Sequence, residues 1–288
     1  MLSVPGKVFL LGEYAVLTDE PAWISAVSPR FSFTPGAGEV GFHPESPAAN
    51  FLLSRGTSVR GVFFDPWDGR GGFGGSTAEF AVAAYEAGIR DAVDAWTAYR
   101  ALSERVSPWK RPSGADLVAQ WVGGTVEWNP KTRSITRLDS ALTGFPLLVF
   151  SATHLPNRKT VTHFHLETLG GATTSFGSLS PAFERAKAGA SEKNWAEVGH
   201  AFSAFADALA HLNLESPVVR NERLALSRLP GVLGVKGCGS LQTDAMLVVV
   251  ESLSGPKTEG VIEFAQETCG LKLLSRGLPF EPGIREER

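Results

Sequence analysis

The stretch Gly69-Arg70-Gly71-Gly72-Phe73-Gly74-Gly75-Ser76-Thr77 runs directly into the alanine-rich residues 78–88, and its reading decides the fold. Glycines without Cβ let successive backbone N–H groups turn inward toward an anion. A helix that begins immediately behind them adds free N–H groups and its dipole. Ser76 and Thr77 put hydroxyls at the helix start, where they can cap it or ligate a phosphate-bound Mg2+. A phosphate-holding turn and a plain loop capped by Ser76 fit this segment equally well. Gly69, Gly71 and Gly74 also fit G-x-G-x-x-G, but Asp65-Pro66-Trp67-Asp68 interrupts any strand leading into it, and no acidic residue closes a second strand about 20 positions on. The pattern G-x-x-x-x-G-K-[ST] occurs nowhere in the chain. A nucleotide held here would sit on a non-Walker loop.

Outward from the turn, residues 7–11 and 14–17 read as strands around Gly12-Glu13, and 29–68 as strands and surface loops punctuated by Gly, Pro and Ser. Residues 91–105 predict a helix, with Ala92, Val93, Trp96, Tyr99 and Leu102 at helical spacing. Ser113-Gly114-Ala115-Asp116 opens another helical stretch that stops at Gly123-Gly124. Residues 125–151 read as strands with a turn at Asn129-Pro130. Trp195, Val198, Phe202, Phe205, Leu209 and Leu212 form the apolar face of a long amphipathic helix, preceded by a helix at 181–187 and followed by one at 218–229. The tail alternates strand, strand, helix, strand at 231–236, 245–250, 258–268 and 271–274, an α+β ending of ferredoxin-like type. A boundary near residue 150 divides the chain into 1–150 and 151–288.

The 288 residues carry a net charge of −3, with 43% hydrophobic and 20% charged side chains. That composition belongs to a folded globular chain and argues against a generic nucleic-acid surface. The run Val8-Phe9-Leu10-Leu11 ends at Gly12-Glu13, too short for a signal or membrane segment, so a cytoplasmic protein with no membrane partner is expected. Cys238 and Cys269 have no metal-ligand spacing and read as two reduced thiols. His163 and His165 share a strand face but lack an evident third metal ligand. Trp67, just before the turn, reads as packing rather than as a stacking platform for a base.

Three separated segments together resemble the GHMP kinase superfamily. Val4-Pro5-Gly6-Lys7-Val8-Phe9-Leu10-Leu11-Gly12-Glu13-Tyr14-Ala15-Val16 is similar to the first motif of mevalonate and phosphomevalonate kinases, with Tyr14 as in the phosphomevalonate form. Gly72-Phe73-Gly74-Gly75-Ser76-Thr77-Ala78 resembles the phosphate loop G-L-G-S-S-A-A. Ser113-Gly114-Ala115-Asp116 with Gly123-Gly124 resembles the segment that bears the catalytic Asp. A third glycine-dense motif, K-x-S-G-A-G-G-G-D-C, is met only in part: 236–245 keeps Gly239 and Asp244 but carries Leu241, Gln242 and Thr243 in place of glycines.

The resemblance implies an α+β GHMP kinase fold, with an N-terminal nucleotide-binding domain, a ferredoxin-like C-terminal domain and the active site between them. It implies ATP and Mg2+, with a small-molecule acceptor. Lys7 and Asp116 would be catalytic, 72–77 would hold the nucleotide, and Ser76 with Glu104 would ligate the metal. Glu13, Tyr14, Arg158, Lys159, Thr160 and Gly239 would face the acceptor. The acceptor expected is 5-phosphomevalonate, with the mevalonate 5-hydroxyl as alternative. A catalytically weak binding protein of the same fold, or a homoserine- or sugar-kinase relative, stays open.

Overall fold

The computed structural model describes residues 1–36, 42–70, 72–102, 112–155 and 176–287. Strand β1 (Leu2–Leu11) is buried along its whole length. It pairs antiparallel with β2 (Ala22–Pro35) on one side and with β10 (Arg285–Glu286) on the other. Beyond β2 lie β3 (Gly61–Phe64) and β4 (Thr125–Asn129), and β4 carries β5 (Ser134–Arg137). Helices α1 (Pro47–Ser54), α2 (Gly75–Glu86), α3 (Ala92–Ala101) and α4 (Ala115–Val122) accompany this sheet, with α2 and α4 against β1.

The second sheet has the order β7 (Val232–Cys238), β8 (Ala245–Val250), β6 (Leu147–Ser151), β9 (Lys272–Arg276), with every pairing antiparallel. Between β6 and β7 come α5 (Ser180–Ser191), α6 (Trp195–His211) and α7 (Pro217–Leu226), and α8 (Pro256–Glu267) joins β8 to β9. That connectivity and strand order are ferredoxin-like, as the tail pattern predicts. Both faces of this sheet are dry. Leu147 and Val149 join the large core shared with the first sheet, whereas Leu148 and Phe150 meet α7 and α8 in a second cluster, as period-two alternation requires. Among the described residues, no helix is long and apolar enough to cross a membrane.

Three local expectations are corrected. Residues 14–17 are not a strand but a 3-10 turn, Ala15–Thr18. Gly12 at φ +95° and Tyr14 at φ 62° swing the chain out of the sheet, and a Cβ on Gly12 would lie 2.5 Å from Ala22 Cα. Within 29–68, helix α1 was not anticipated, although its start is written in the sequence: Ser46 accepts from Ala49 N at 3.3 Å and Pro47 takes the first turn. Finally, β10 is two residues long and has no pattern of its own; its partner β1 defines it. It closes a strap in which Gly124 N donates to Glu281 O at 2.6 Å and Ile284 N to Gln120 O at 2.9 Å. Arg30 donates to the carbonyls of Pro282 (2.6 Å) and Gly283 (2.9 Å) from the other side.

Candidate active site

Helix α2 begins at Gly74, which takes a left-handed conformation (φ 87°, ψ 33°) as its N-cap. No side chain caps this end, so the first N–H groups of α2 stay available to an anion. Thr77 turns its hydroxyl back to Gly74 O at 3.0 Å, whereas Ser76 is exposed at the helix start. Phe73 is 1% exposed and stacks on Trp67 with centroids 3.8 Å apart, so Trp67 packs under the turn as expected. Lys7 N donates to Phe73 O at 3.1 Å and ties the turn to β1.

Lys7 and Asp116 meet. Nζ lies 3.1 Å from Oδ2, with the lysine side chain 6% and the aspartate 26% exposed. Asp116 stands in the first turn of α4, behind Gly114 at φ 71°. A Cβ on Gly114 would lie 2.7 Å from Trp96 Cδ1, so the entry to α4 is pinned against α3. Burial alone would lower the Lys7 pKa. The charges of Asp116, Cys238 and Asp244, with the Asp116 hydrogen bond, outweigh it and hold the ammonium above its ordinary 10.5. Tyr99 is buried within the field of Asp116; burial first and the Asp116 charge second raise its phenol pKa, against a Ser76 hydrogen bond that lowers it.

Asp244 closes the site from the second sheet. Its side chain fills the space that a Cβ would need on two separate glycines: one on Gly72 would lie 2.7 Å from Asp244 Cγ, and one on Gly239 would overlap Asp244 Oδ2. Gly239 is thus placed by packing against Asp244. Lys7 therefore sits in the field of two carboxylates. One ammonium between two carboxylates suits a phosphate that arrives with a divalent cation better than a bare triphosphate. Together with the uncapped helix start and the exposed Ser76 hydroxyl, this donor set fits Mg·ATP. Among the described residues no three His, Cys, Asp or Glu side chains gather as a metal cluster. Mg2+ bound through phosphates needs only one or two protein oxygens.

Glu13 and Tyr14 are each engaged within the protein. Glu13 is 4% exposed and paired with the fully buried Lys236 of β7, which also donates to Gly237 O at 2.7 Å. The Tyr14 hydroxyl accepts from Leu241 N at 2.8 Å, and burial pushes its pKa up to about 12. These contacts, with Phe9 N donating to Cys238 Sγ at 3.2 Å, clasp the first motif to the third. Glu104, Arg158, Lys159, Thr160, His163 and His165 lie outside the described residues.

Sequence reasoning gave no site role to Tyr99, Gln120 or Lys236. Gln120 had a readable signal: it is the one polar residue after Asp116 in the apolar run 117–122, four positions on and so on the same helix face.

No family model matches the chain, and no curated protein matches it. Solved structures do. The chain is similar to Streptococcus pneumoniae phosphomevalonate kinase, with TM-score 0.70, 14% identity, and 96% of this chain and 98% of that one covered. It is similar to Methanococcus jannaschii mevalonate kinase (TM-score 0.67, 14% identity, 96% and 98% covered). It also resembles Lactococcus lactis galactokinase complexed with galactose (TM-score 0.70, 10% identity, 99% and 94% covered). The likeness spans nearly the full length of each, and the chain has the fold of these kinases, the GHMP kinase fold.

Proposed function

We propose that this chain is an ATP-dependent small-molecule kinase that transfers the γ-phosphoryl group to an isoprenoid-pathway acceptor, 5-phosphomevalonate first and the mevalonate 5-hydroxyl second. The observation that carries the reading is the Lys7–Asp116 pair, 3.1 Å apart and mostly buried, beside the uncapped start of α2. Phosphoryl transfer asks for positioning and charge stabilisation more than covalent chemistry. In this reading Asp116 accepts the acceptor's proton, or orients the hydroxyl or phosphate oxygen that attacks. Lys7 keeps Asp116 ionised and stabilises the negative charge that develops. The amides of 72–77 and the α2 dipole hold the nucleotide phosphates between the units 1–150 and 151–288. Ser76, with Glu104, would hold Mg2+, which supplies charge neutralisation at the transferring phosphoryl group. Arg158, Lys159 and Thr160 are proposed to meet a phosphorylated acceptor. We place the enzyme in the cytoplasm, in keeping with two cysteines that form no disulfide.

A second reading has one observation in its favour. Leu241 and Gln242, which stand where the resembling motif has glycines, sit at φ 49° and 63°, a conformation costly for side chains. A binding protein of this fold with little turnover would tolerate such a loop. Coupled ADP-release assays with 5-phosphomevalonate, mevalonate and galactose side by side separate these readings. Turnover is expected on 5-phosphomevalonate. Saturable binding of Mg·ADP without turnover on any acceptor favours the binding protein, and no nucleotide binding sinks both.

A further inference from the structure

Gln120 is fully buried on α4, one helical turn beyond Asp116. Its Nε2 donates to two carbonyls from different elements: Pro5 O in β1 at 2.9 Å and Gly74 O in the glycine turn at 3.0 Å. Both acceptors are carbonyl oxygens, so the amide orientation is fixed by chemistry. The other end of the amide, Oε1, is buried and has no hydrogen-bond partner. An orphaned buried acceptor is unfavourable, so the amide is held there by what its N–H groups do. A Cβ on Gly74 would lie 2.8 Å from Nε2, so the turn residue and the amide are fitted to one another. Gly74 O already receives Ala78 N at 2.8 Å and Thr77 Oγ1 at 3.0 Å. A further donor adds little to that oxygen's satisfaction, but it joins the turn to the helix that carries Asp116.

We propose that Gln120 is a positioning residue that fixes the glycine turn relative to the Lys7–Asp116 pair. Three struts then triangulate the site. Lys7 N to Phe73 O joins β1 to the turn, Lys7 Nζ to Asp116 joins β1 to α4, and Gln120 joins α4 to both. Of the three, only Gln120 ties the turn directly to α4. Its consequence for turnover rests on the phosphotransfer reading; its effect on the turn does not.

The test compares wild type with Gln120→Met, which keeps length and removes both donors, and with Gln120→Glu. Hydrogen exchange of the Ala78 amide, which donates to Gly74 O, and of the α2 amides behind it is expected to quicken about tenfold or more in the Met variant, while exchange in β7 and β8 is unchanged. The dissociation constant of Mg·ADP, by calorimetry, is expected to rise about fivefold or more, with kcat falling further than KM for the acceptor changes. In the Glu variant only the protonated carboxyl can donate, so ADP affinity is expected to recover as pH falls, a limb that wild type lacks. Unchanged exchange at Ala78 and the α2 amides behind it, with ADP affinity within twofold, overturns the proposal, as does a lowered Tm with neither local change. Wild type that binds no Mg·ADP defeats the phosphotransfer reading instead, and the exchange data still judge Gln120.

Discussion

Lys7 is nearly out of water yet keeps its charge, because two carboxylates outweigh the loss of hydration. Its pKa is raised by folding, so the stability it lends is complete below pH 10.5 and is lost only as pH rises through the higher folded value. Across the neutral range the ammonium is constant. Asp116→Asn removes the strongest of its charge partners. The expected outcome is kcat lower by about 10²–10⁴-fold with Mg·ADP affinity nearly unchanged at pH 7, read by ADP release and calorimetry. The pH at which that affinity fails on the alkaline side should move down. Glu13 and Lys236 form another buried pair, and here the prediction concerns folding. Lys236→Met strands a carboxylate already short of one partner, and is expected to cost about 3–5 kcal/mol in urea unfolding. Adding Glu13→Gln to it should recover most of that loss, since no unpaired charge remains. Lys7 and Asp116 were legible because residue type and motif order sufficed. The fate of Glu13 was not, since its partner lies 223 positions away.

At the scale of elements, α6 lies so close on β7 that no side chain fits between their backbones at one point. A Cβ on Gly234 would overlap the Gly199 carbonyl, and one on Gly199 would lie 2.8 Å from Leu233 Cβ. Gly234→Ala is therefore expected to destabilise by about 1–3 kcal/mol or more, as overpacking does. Gly260, exposed in the middle of α8 with nothing near its missing Cβ, offers the opposite case. Gly260→Ala is expected to stabilise by about 0.5–1 kcal/mol, and thermal melts of the two variants check the contrast. The long helix α6 was legible because its stripe repeats over five turns, with Val198, Phe202, Phe205 and Leu209 all fully buried. Helix α1 was not, because eight residues carry too little periodicity to stand out beside their Gly- and Pro-rich neighbours. Its cap at Ser46-Pro47 was the better signal. The Tyr14 turn escaped because alternation in the sequence says nothing about a backbone forced to positive φ by the strand beside it.

For the molecule as a whole, the second sheet shares a core with the first, and the strap at 281–287 returns to β1. Removing residues 280–288 strips β1 of an edge partner, α4 of the hydrogen bond at Gln120 O and the glycine pair behind α4 of the one at Gly124 N. The truncated chain is expected to melt about 5 °C or more below the full one and to bind Mg·ADP more weakly, measured by calorimetry on both. A merely decorative tail would leave both values where they were. The tail's ferredoxin-like pattern was readable from its alternation; the return of the strap was not, because two residues with no periodicity reveal nothing about a partner at the opposite end of the sequence.

The strap also bears on how the protein is made. A ribosome releases β1, the glycine turn and α4 well before residues 281–287. Until those residues emerge, Arg30 lacks the carbonyls of Pro282 and Gly283, and the sheet edge at Leu2 and Ser3 stays open to other strands. The nascent first half thus stays exposed to wrong pairing until the strap emerges and seals it.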